Sequence, residues 1–407
     1  MKNKIIYFII FFFILFCSFH LNSDVHNDEA SYYFRGQLDL IPLLSEGIQP
    51  PMYPLINSFL PKNIIVLRMI NIFFGCLTII VFYNLLNLFF NKSFSVYGLF
   101  ILISNPYFIK FSCQSRPYAL ALLLSLLSTY LFLKNKNLTL YILISMLAVY
   151  THLFTFFIIL GHMVSCNWLG YDKFRKQSLP TMIITFCLFP LQVVNVYNKG
   201  FMNWRTFNLV MPLKTIIFLF GSLPLLIFFI ILVVYKIDIL KQKQFKIFLS
   251  FFIGFLFVGI ISFVFPIWHD RYFYFWIPYI IVLLLIVVVR IKKSFVLLFT
   301  LFLLIFNIST IPNTIEPHPL RDSLHYVGSY GDLIIHRSSF SFLPYEFMKP
   351  EYNNFVINNL SYYGTPIYQK ELLINDLPSS SYFLVTDYTE QCDNIYFEQQ
   401  GLKICIR

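Results

Sequence analysis

The sequence predicts an all-α polytopic membrane protein carrying a small C-terminal α/β domain, and three observations point there. Hydrophobic residues make up 58% of the 407-residue chain and charged residues only 12%, against about 25% charged in an ordinary soluble domain. Mean hydropathy is +0.71, and the apolar residues gather into runs of roughly 17 to 25, the length that spans a bilayer as a helix because hydrocarbon offers no partner for an unpaired backbone amide. After residue 312 the apolar runs shrink to four or five residues separated by turn residues.

Eleven spans are expected, at 5-21, 64-90, 94-111, 117-133, 138-152, 154-170, 179-197, 213-235, 246-266, 273-289 and 294-311. The fifth and sixth form one apolar stretch broken only around Tyr150, Thr151 and His152. Charge orients them. With the N-terminus in the cytoplasm, the inner turns hold Lys2 and Lys4, Lys92, Lys134 and Lys136, Lys173 with Arg175 and Lys176, then Lys236, Lys241, Lys243 and Lys246, and finally Arg290, Lys292 and Lys293. Asp172 and Asp238 are the acids among them, so every inner turn obeys the positive-inside rule. The first run has no small-residue cleavage site after it and reads as an uncleaved first helix. Topogenic lysines and arginines account for the net charge of +11, so a nucleic-acid partner is not called for. The expected location is the inner or plasma membrane, with other membrane lipids as neighbours.

The division into domains is expected at 1-311 and 312-407, the second outside the membrane. Its short apolar runs, Leu333 to His336, Phe355 to Ile357, Tyr382 to Thr386, Asn394 to Phe397 and Lys403 to Ile406, read as strands between turns such as Gly331-Asp332 and Pro378-Ser379. Cys392 and Cys405 fall there, on the side where disulfides persist, and are candidates for a pair. The other five cysteines lie in or beside apolar segments without metal-ligand spacing and read as packing residues.

Chemistry is expected in the outer loops. From Asp28 onward, Ala30, Tyr33, Phe34, Leu38 and Ile41 recur near helical spacing, which predicts a short helix along the membrane surface. Asp28 and Glu29 then occupy its first turn, where free amides and the helix dipole favour negative charge. They either cap that helix or act on a substrate. Adjacent helical residues point about 100° apart, so two carboxylates there suit separate tasks rather than a shared proton. Gln49-Pro50-Pro51-Met52-Tyr53-Pro54 follows as a stiff turn. In the second outer loop, Ser115-Arg116-Pro117-Tyr118 sets Arg116 at a helix N-terminus. Amides there already attract anions, and the planar guanidinium matches phosphate oxygens. The alternative is an arginine snorkelling to lipid headgroups. Thr151-His152 and Trp268-His269-Asp270-Arg271-Tyr272 lie at the same outer level. A carboxylate base and a phosphate-binding arginine on one face fit sugar transfer from a lipid phosphate. No Walker-type glycine loop for nucleotide phosphates occurs in the sequence.

Asp28-Glu29-Ala30, Gln49-Pro50-Pro51-Met52-Tyr53, Leu67-Arg68, Ser104-Asn105-Pro106, Ser115-Arg116-Pro117-Tyr118-Ala119-Leu120, Tyr150-Thr151-His152 and Arg271-Tyr272 occur in an order that resembles GT-C glycosyltransferases. More narrowly, the order is similar to that of the bacterial relatives of protein O-mannosyltransferases and of the aminoarabinose transferase that modifies lipid A. The resemblance covers residues 1 to 311. It implies a polytopic enzyme that moves a sugar, with inversion, from a polyprenyl-phosphate donor to a hydroxyl on a cell-envelope glycolipid, glycan or protein. By that resemblance Asp28 is the catalytic base and Glu29 its partner, Arg116 and Arg271 hold the donor phosphate, and Tyr118, His152 and Tyr53 are candidate substrate-binding residues. Gln49 stands where relatives often have histidine before the proline pair. No cofactor is expected, and the resemblance leaves a divalent metal open. The alternative from another class is a transporter or flippase of lipid-linked sugars, which explains many helices and a phosphate-binding arginine but gives no task to Asp28-Glu29.

Overall fold

In the first helix, apolar side chains cover the whole circumference, and the fold divides them into two faces. The computed structural model gives α1 (Lys2–Leu21) a buried stripe of Ile9, Phe13, Cys17 and His20, while Phe8, Phe11 and Phe19 are more than half exposed. One buried and one exposed apolar face is the pattern of a helix at the rim of a membrane bundle, since lipid tails are as apolar as leucine. The structure describes residues 2–21, 23, 25–37, 50–135, 137–171, 176, 210–220, 223–235, 237–264 and 269–289, and six strands between 333 and 406.

Two short helices, α2 (Asn27–Arg35) and α3 (Met52–Ser58), precede α4 (Ile64–Leu86). Asn63 opens α4, its Oδ1 accepting from the Ile65 and Val66 amides at 2.9 and 3.3 Å. The expected single span at 94-111 is instead a bent pair, α5 (Lys92–Ser104) and α6 (Pro106–Cys113), meeting at 65°. The cause is local. Pro106 has no amide hydrogen and disfavours helical geometry in the residue before it. Asn105 is accordingly extended, and its Oδ1 accepts from the Tyr107 and Phe108 amides at 3.0 and 3.1 Å, restarting the helix in a new direction. A β-carbon on Gly75 of α4 would lie 2.5 Å from Phe13 Cζ and 3.2 Å from Ser112 Cβ, so α1, α4 and α6 meet at that glycine.

The next three helices are apolar and shorter: α7 (Tyr118–Lys134), α8 (Leu138–Thr151) and α9 (Thr155–Leu169). The break between α8 and α9 falls at His152, where the sequence interrupts its apolar run. Then come α10 (Val210–Phe220), α11 (Leu223–Tyr235), a 3-10 turn at Ile237–Lys241, α12 (Lys243–Ser250) and α13 (Ile253–Val264). Between α12 and α13 the Trp276 indole donates to the Phe251 carbonyl at 2.8 Å, filling an acceptor that the helix break leaves open. A seven-residue 3-10 turn, Asp270–Trp276, leads into α14 (Ile277–Val288), every residue of which is buried. Among the described residues, Lys4–Leu21, Ile64–Leu86, Lys243–Ile260 and Arg271–Val288 are long and apolar enough to cross a membrane, and the bent pair makes a fifth span if it crosses as one. The spans expected at 179-197 and 294-311 lie outside the described residues.

The C-terminal strands are β1 (Leu333–His336), β2 (Asn353–Ile357), β3 (Glu371–Leu372), β4 (Phe383–Thr386), β5 (Ile395–Gln399) and β6 (Leu402–Ile406). They form one sheet in the order β3-β2-β1-β4-β6-β5. The first four run parallel, with Leu333 opposite Asn353 and Ile335 opposite Leu384. β6 then pairs antiparallel with β4 and β5, Leu384 facing Cys405, and a register shift between Ile395 and Phe397 bulges β5. Five of these strands lie on the apolar runs read from the sequence, and the two-residue β3 does not. Cys392 lies outside the described residues. The chain divides into two compact units, Met1–His20 with Arg68–Thr314 and Leu21–Leu67 with Ile315–Arg407. The segment at 21–67 therefore groups with the C-terminal strands, where the sequence suggests one division near 312.

Candidate functional site

The carboxylate pair sits where its spacing predicts, in the first turn of α2. The cap itself is a histidine. His26 Nδ1 accepts from the Asp28 amide at 3.1 Å, and Glu29 Oε2 accepts from the His26 amide at 3.0 Å, a reciprocal capping box with imidazole in the place of a serine or threonine hydroxyl. Glu29 is almost wholly buried, whereas Asp28 is only partly covered. Glu29 is thus part of the cap, and the Asp28 side chain leaves the helix about 100° around the axis from it.

The helix ends earlier than its apolar spacing suggests. Gly36 is the C-cap, its amide donating back to the Tyr32 and Tyr33 carbonyls at 3.2 and 3.0 Å, and the positions from 38 to 49 lie outside the described residues. The same glycine brings α2 against α3, for a β-carbon there would lie 2.5 Å from the Pro54 carbonyl oxygen and 3.0 Å from the Ser58 nitrogen. Tyr53, a candidate for substrate binding, is buried in this crossing with its ring edge-on to Tyr32 at 5.5 Å. Lys62 lies over the Phe34 ring at 5.6 Å, and burial raises the Tyr33 hydroxyl above its ordinary pKa.

The other unit gathers the remaining candidates. Arg116 lies between α6 and α7, one residue ahead of Pro117, whose φ of −65° suits the start of α7 at Tyr118. Its amide donates to the Gln114 carbonyl at 2.8 Å. With 3% of its surface exposed, Arg116 does not snorkel to a lipid headgroup; the protein encloses it. Tyr118 then packs on His152 at 5.4 Å between ring centroids and on Phe111 at 4.9 Å. His152 is extended, and its carbonyl accepts from both the amide and the hydroxyl of Thr155, a tight turn that aims the imidazole at Phe275 (4.7 Å) and Tyr272 (5.7 Å). Arg271 stands over the Tyr272 ring at 5.6 Å, close enough for its charge to bear on His152.

The structure therefore brings Tyr118, His152 and the Arg271 turn together, with Arg116 two residues from Tyr118. Asp28, Glu29 and Tyr53 belong to the other unit. Two residues escaped the sequence reading. His26 was hidden because a capping box is sought from serine or threonine. Tyr274 stands in an aromatic run read simply as the start of a span, yet its hydroxyl meets Ser112 Oγ at 3.3 Å and its ring packs on Phe111 at 5.3 Å, tying the 270–276 turn to the segment that carries Arg116. Among the described residues, no group of three or more His, Cys, Asp or Glu side chains is gathered as a metal site.

No protein-family model matches the sequence, and no curated protein does either. Among solved structures the chain is similar to the crystal structure of ArnT from Cupriavidus metallidurans in the apo state, with a TM-score of 0.68 over 99% of this chain and 98% of that one at 10% identity. At that identity the likeness is one of fold. The chain has the fold of ArnT, the lipid A aminoarabinose transferase and a GT-C enzyme, and is a multi-pass membrane protein.

Proposed function

We propose that this chain, folded like ArnT over nearly its whole length, is an inverting glycosyltransferase that uses a polyprenyl-phosphate sugar. The supporting observation is the enclosed Arg116 beside the Tyr118–His152 pair, with the guanidinium of Arg271 over the Tyr272 ring that packs on the same histidine. A planar guanidinium withdrawn from water binds a phosphate more firmly than an exposed one does. In this reading Arg116 and Arg271 hold the donor phosphate, and Tyr118 and His152 line the site around it. Asp28 takes the proton of the acceptor hydroxyl. The freed oxygen bonds to the sugar C1 from the face opposite the phosphate, the C1–O bond breaks, and its electron pair leaves on the phosphate beside the arginines. Glu29 and His26 hold the helix turn on which Asp28 stands.

The reading also includes eleven spans, a cytoplasmic N-terminus and an extracytoplasmic C-terminal α/β domain beginning near 312. Parallel strand pairs such as β1 and β2 need crossovers of a dozen or more residues, usually helical, which supports the α/β assignment. The acceptor is a hydroxyl-bearing glycolipid, glycan or protein.

Transfer of labelled sugar from a mixed polyprenyl-phosphate-sugar pool by the purified chain in lipid tests the reading, with Asp28→Asn as control. Label reaching an acceptor with the native chain and not with Asp28→Asn is the expected outcome. Full turnover by Asp28→Asn removes Asp28 as base. Flipping of donor across the bilayer by both proteins, with no transfer to any acceptor, supports the transporter of lipid-linked sugars instead.

A further inference from the structure

Deep in the helical unit lies a group of polar side chains with no part in the chemistry above. His162 of α9 is completely buried, its ring stacked on Phe132 at 4.7 Å and 13°. Its Nδ1 meets the Tyr141 hydroxyl of α8 at 3.2 Å, and its Nε2 meets Thr129 Oγ1 of α7 at 2.9 Å. Thr129 Oγ1 also lies 2.7 Å from the Tyr279 hydroxyl of α14 and 2.8 Å from the Ser125 carbonyl one turn back.

Thr129 Oγ1 thus has three neighbours, the Ser125 carbonyl, His162 Nε2 and the Tyr279 hydroxyl, for one hydrogen and two lone pairs. With the ring hydrogen on Nε2 the imidazole donates to Thr129 and accepts from Tyr141, and with it on Nδ1 the two roles exchange, so either tautomer is satisfied. The same contacts close whichever nitrogen carries the hydrogen, so the set suits fastening of the helices.

The four helices fastened here are the four whose ends carry the candidate donor site. Arg116 and Tyr118 stand at the start of α7, His152 at the break between α8 and α9, and Arg271 in the turn that leads into α14. The fastened atoms lie roughly 10 to 20 Å along the helix axes from those ends. Apolar packing between membrane helices is weakly specific, because lipid offers leucine much the same contacts as a neighbouring helix does. A hydroxyl or imidazole has only discrete partners, and a slip of one helix by a turn of about 5.4 Å would strand several of them.

We propose that Thr129, Tyr141, His162 and Tyr279 form a register clasp that sets the axial positions of α7, α8, α9 and α14, and with them the convergence of Arg116, Tyr118, His152 and Arg271. Thr129 and His162 are positioning residues for a polyprenyl phosphate. The ligand half of this inference rests on the glycosyltransferase reading, and the register half does not.

The test compares Thr129→Val, which keeps the shape and removes the hydroxyl, with Thr129→Ser, which keeps the hydroxyl, both in the full chain in lipid nanodiscs. Hydrogen exchange is followed in peptides covering 108–118 and 270–276, and undecaprenyl phosphate binding is titrated on the same samples. Thr129→Val is expected to speed exchange in both remote peptides and to weaken binding roughly tenfold, the scale of a sub-ångström misplacement, while Thr129→Ser behaves as the native chain. A lower melting temperature in Thr129→Val with native exchange in both peptides and native affinity overturns the clasp. Faster exchange in a protein whose native form does not bind undecaprenyl phosphate keeps the clasp and removes the donor reading.

Discussion

Replacing Gly36 by alanine tests how the helix bearing Asp28 is held. The Gly36 backbone has φ −64° and ψ −17°, an ordinary helical conformation that alanine adopts without strain, so only the added methyl matters. That methyl would lie 2.5 Å from the Pro54 oxygen, 3.0 Å from the Ser58 nitrogen and 3.1 Å from the Tyr33 oxygen, all backbone atoms with no rotamer to escape into. Bringing the first contact to 3.0 Å, below which β-carbons are essentially never found, separates α2 from α3 by about 0.5 Å. Overpacking of this kind costs about 1–3 kcal/mol, and a shift of that size at a catalytic base lowers turnover by about tenfold or more. The assay is sugar transfer at saturating donor, with the melting temperature measured alongside. Gly36→Ser should behave at least as badly. Native turnover and native melting in Gly36→Ala would refute the idea that this crossing fixes Asp28.

Three further substitutions separate structural from chemical roles. Glu29→Gln can still accept from the His26 amide and should keep the native melting temperature, whereas Glu29→Ala should lose about 1 kcal/mol; equal loss of transfer in both at unchanged stability would assign the work to the carboxylate charge. Arg116→Lys keeps the charge and loses the planar fork, so the donor KM should rise about tenfold or more with little change in kcat, and unchanged donor saturation contradicts the phosphate assignment. Asn105→Ala removes the acceptor for two amides at the α5–α6 bend and should cost about 1 kcal/mol, while Asn105→Asp retains most of that stability; identical melting of all three proteins would leave the bend to Pro106 alone.

The span at α4, the start of α2 at the carboxylate pair and the break at His152 were legible because each is written in local residue pattern: an unbroken apolar run, helical spacing behind two acids, and polar residues interrupting a greasy stretch. The bend at Asn105 was not, since the residues on either side are equally apolar and hydropathy is blind to direction. Proline marked the spot, and the Asn105 side chain that stabilises the bend acts through geometry. The capping box that His26 and Glu29 build was likewise out of reach, because it depends on which way His26 turns its ring. The Thr129–His162 contact joins residues on separate helices, and a lone histidine in an apolar run carries no sign of its partners.

The candidate residues of the helical unit share one property that composition does not explain. Arg116 lies in the gap between α6 and α7, His152 in the gap between α8 and α9, and Arg271 in a 3-10 turn of seven residues, beyond the three or four at which such turns usually stop. Broken backbone is costly in a membrane protein, because each interrupted turn releases amides and carbonyls that lipid cannot satisfy. Where such stretches pack on one another, the protein itself can satisfy those groups. The breaks do meet, Tyr118 against His152 and His152 against Tyr272 and Phe275, so that irregular backbone and enclosed guanidinium charge share one location. Three irregular stretches thus meet in one cluster, and under the proposed function helix ends and fixed cations together suit an anionic phosphate.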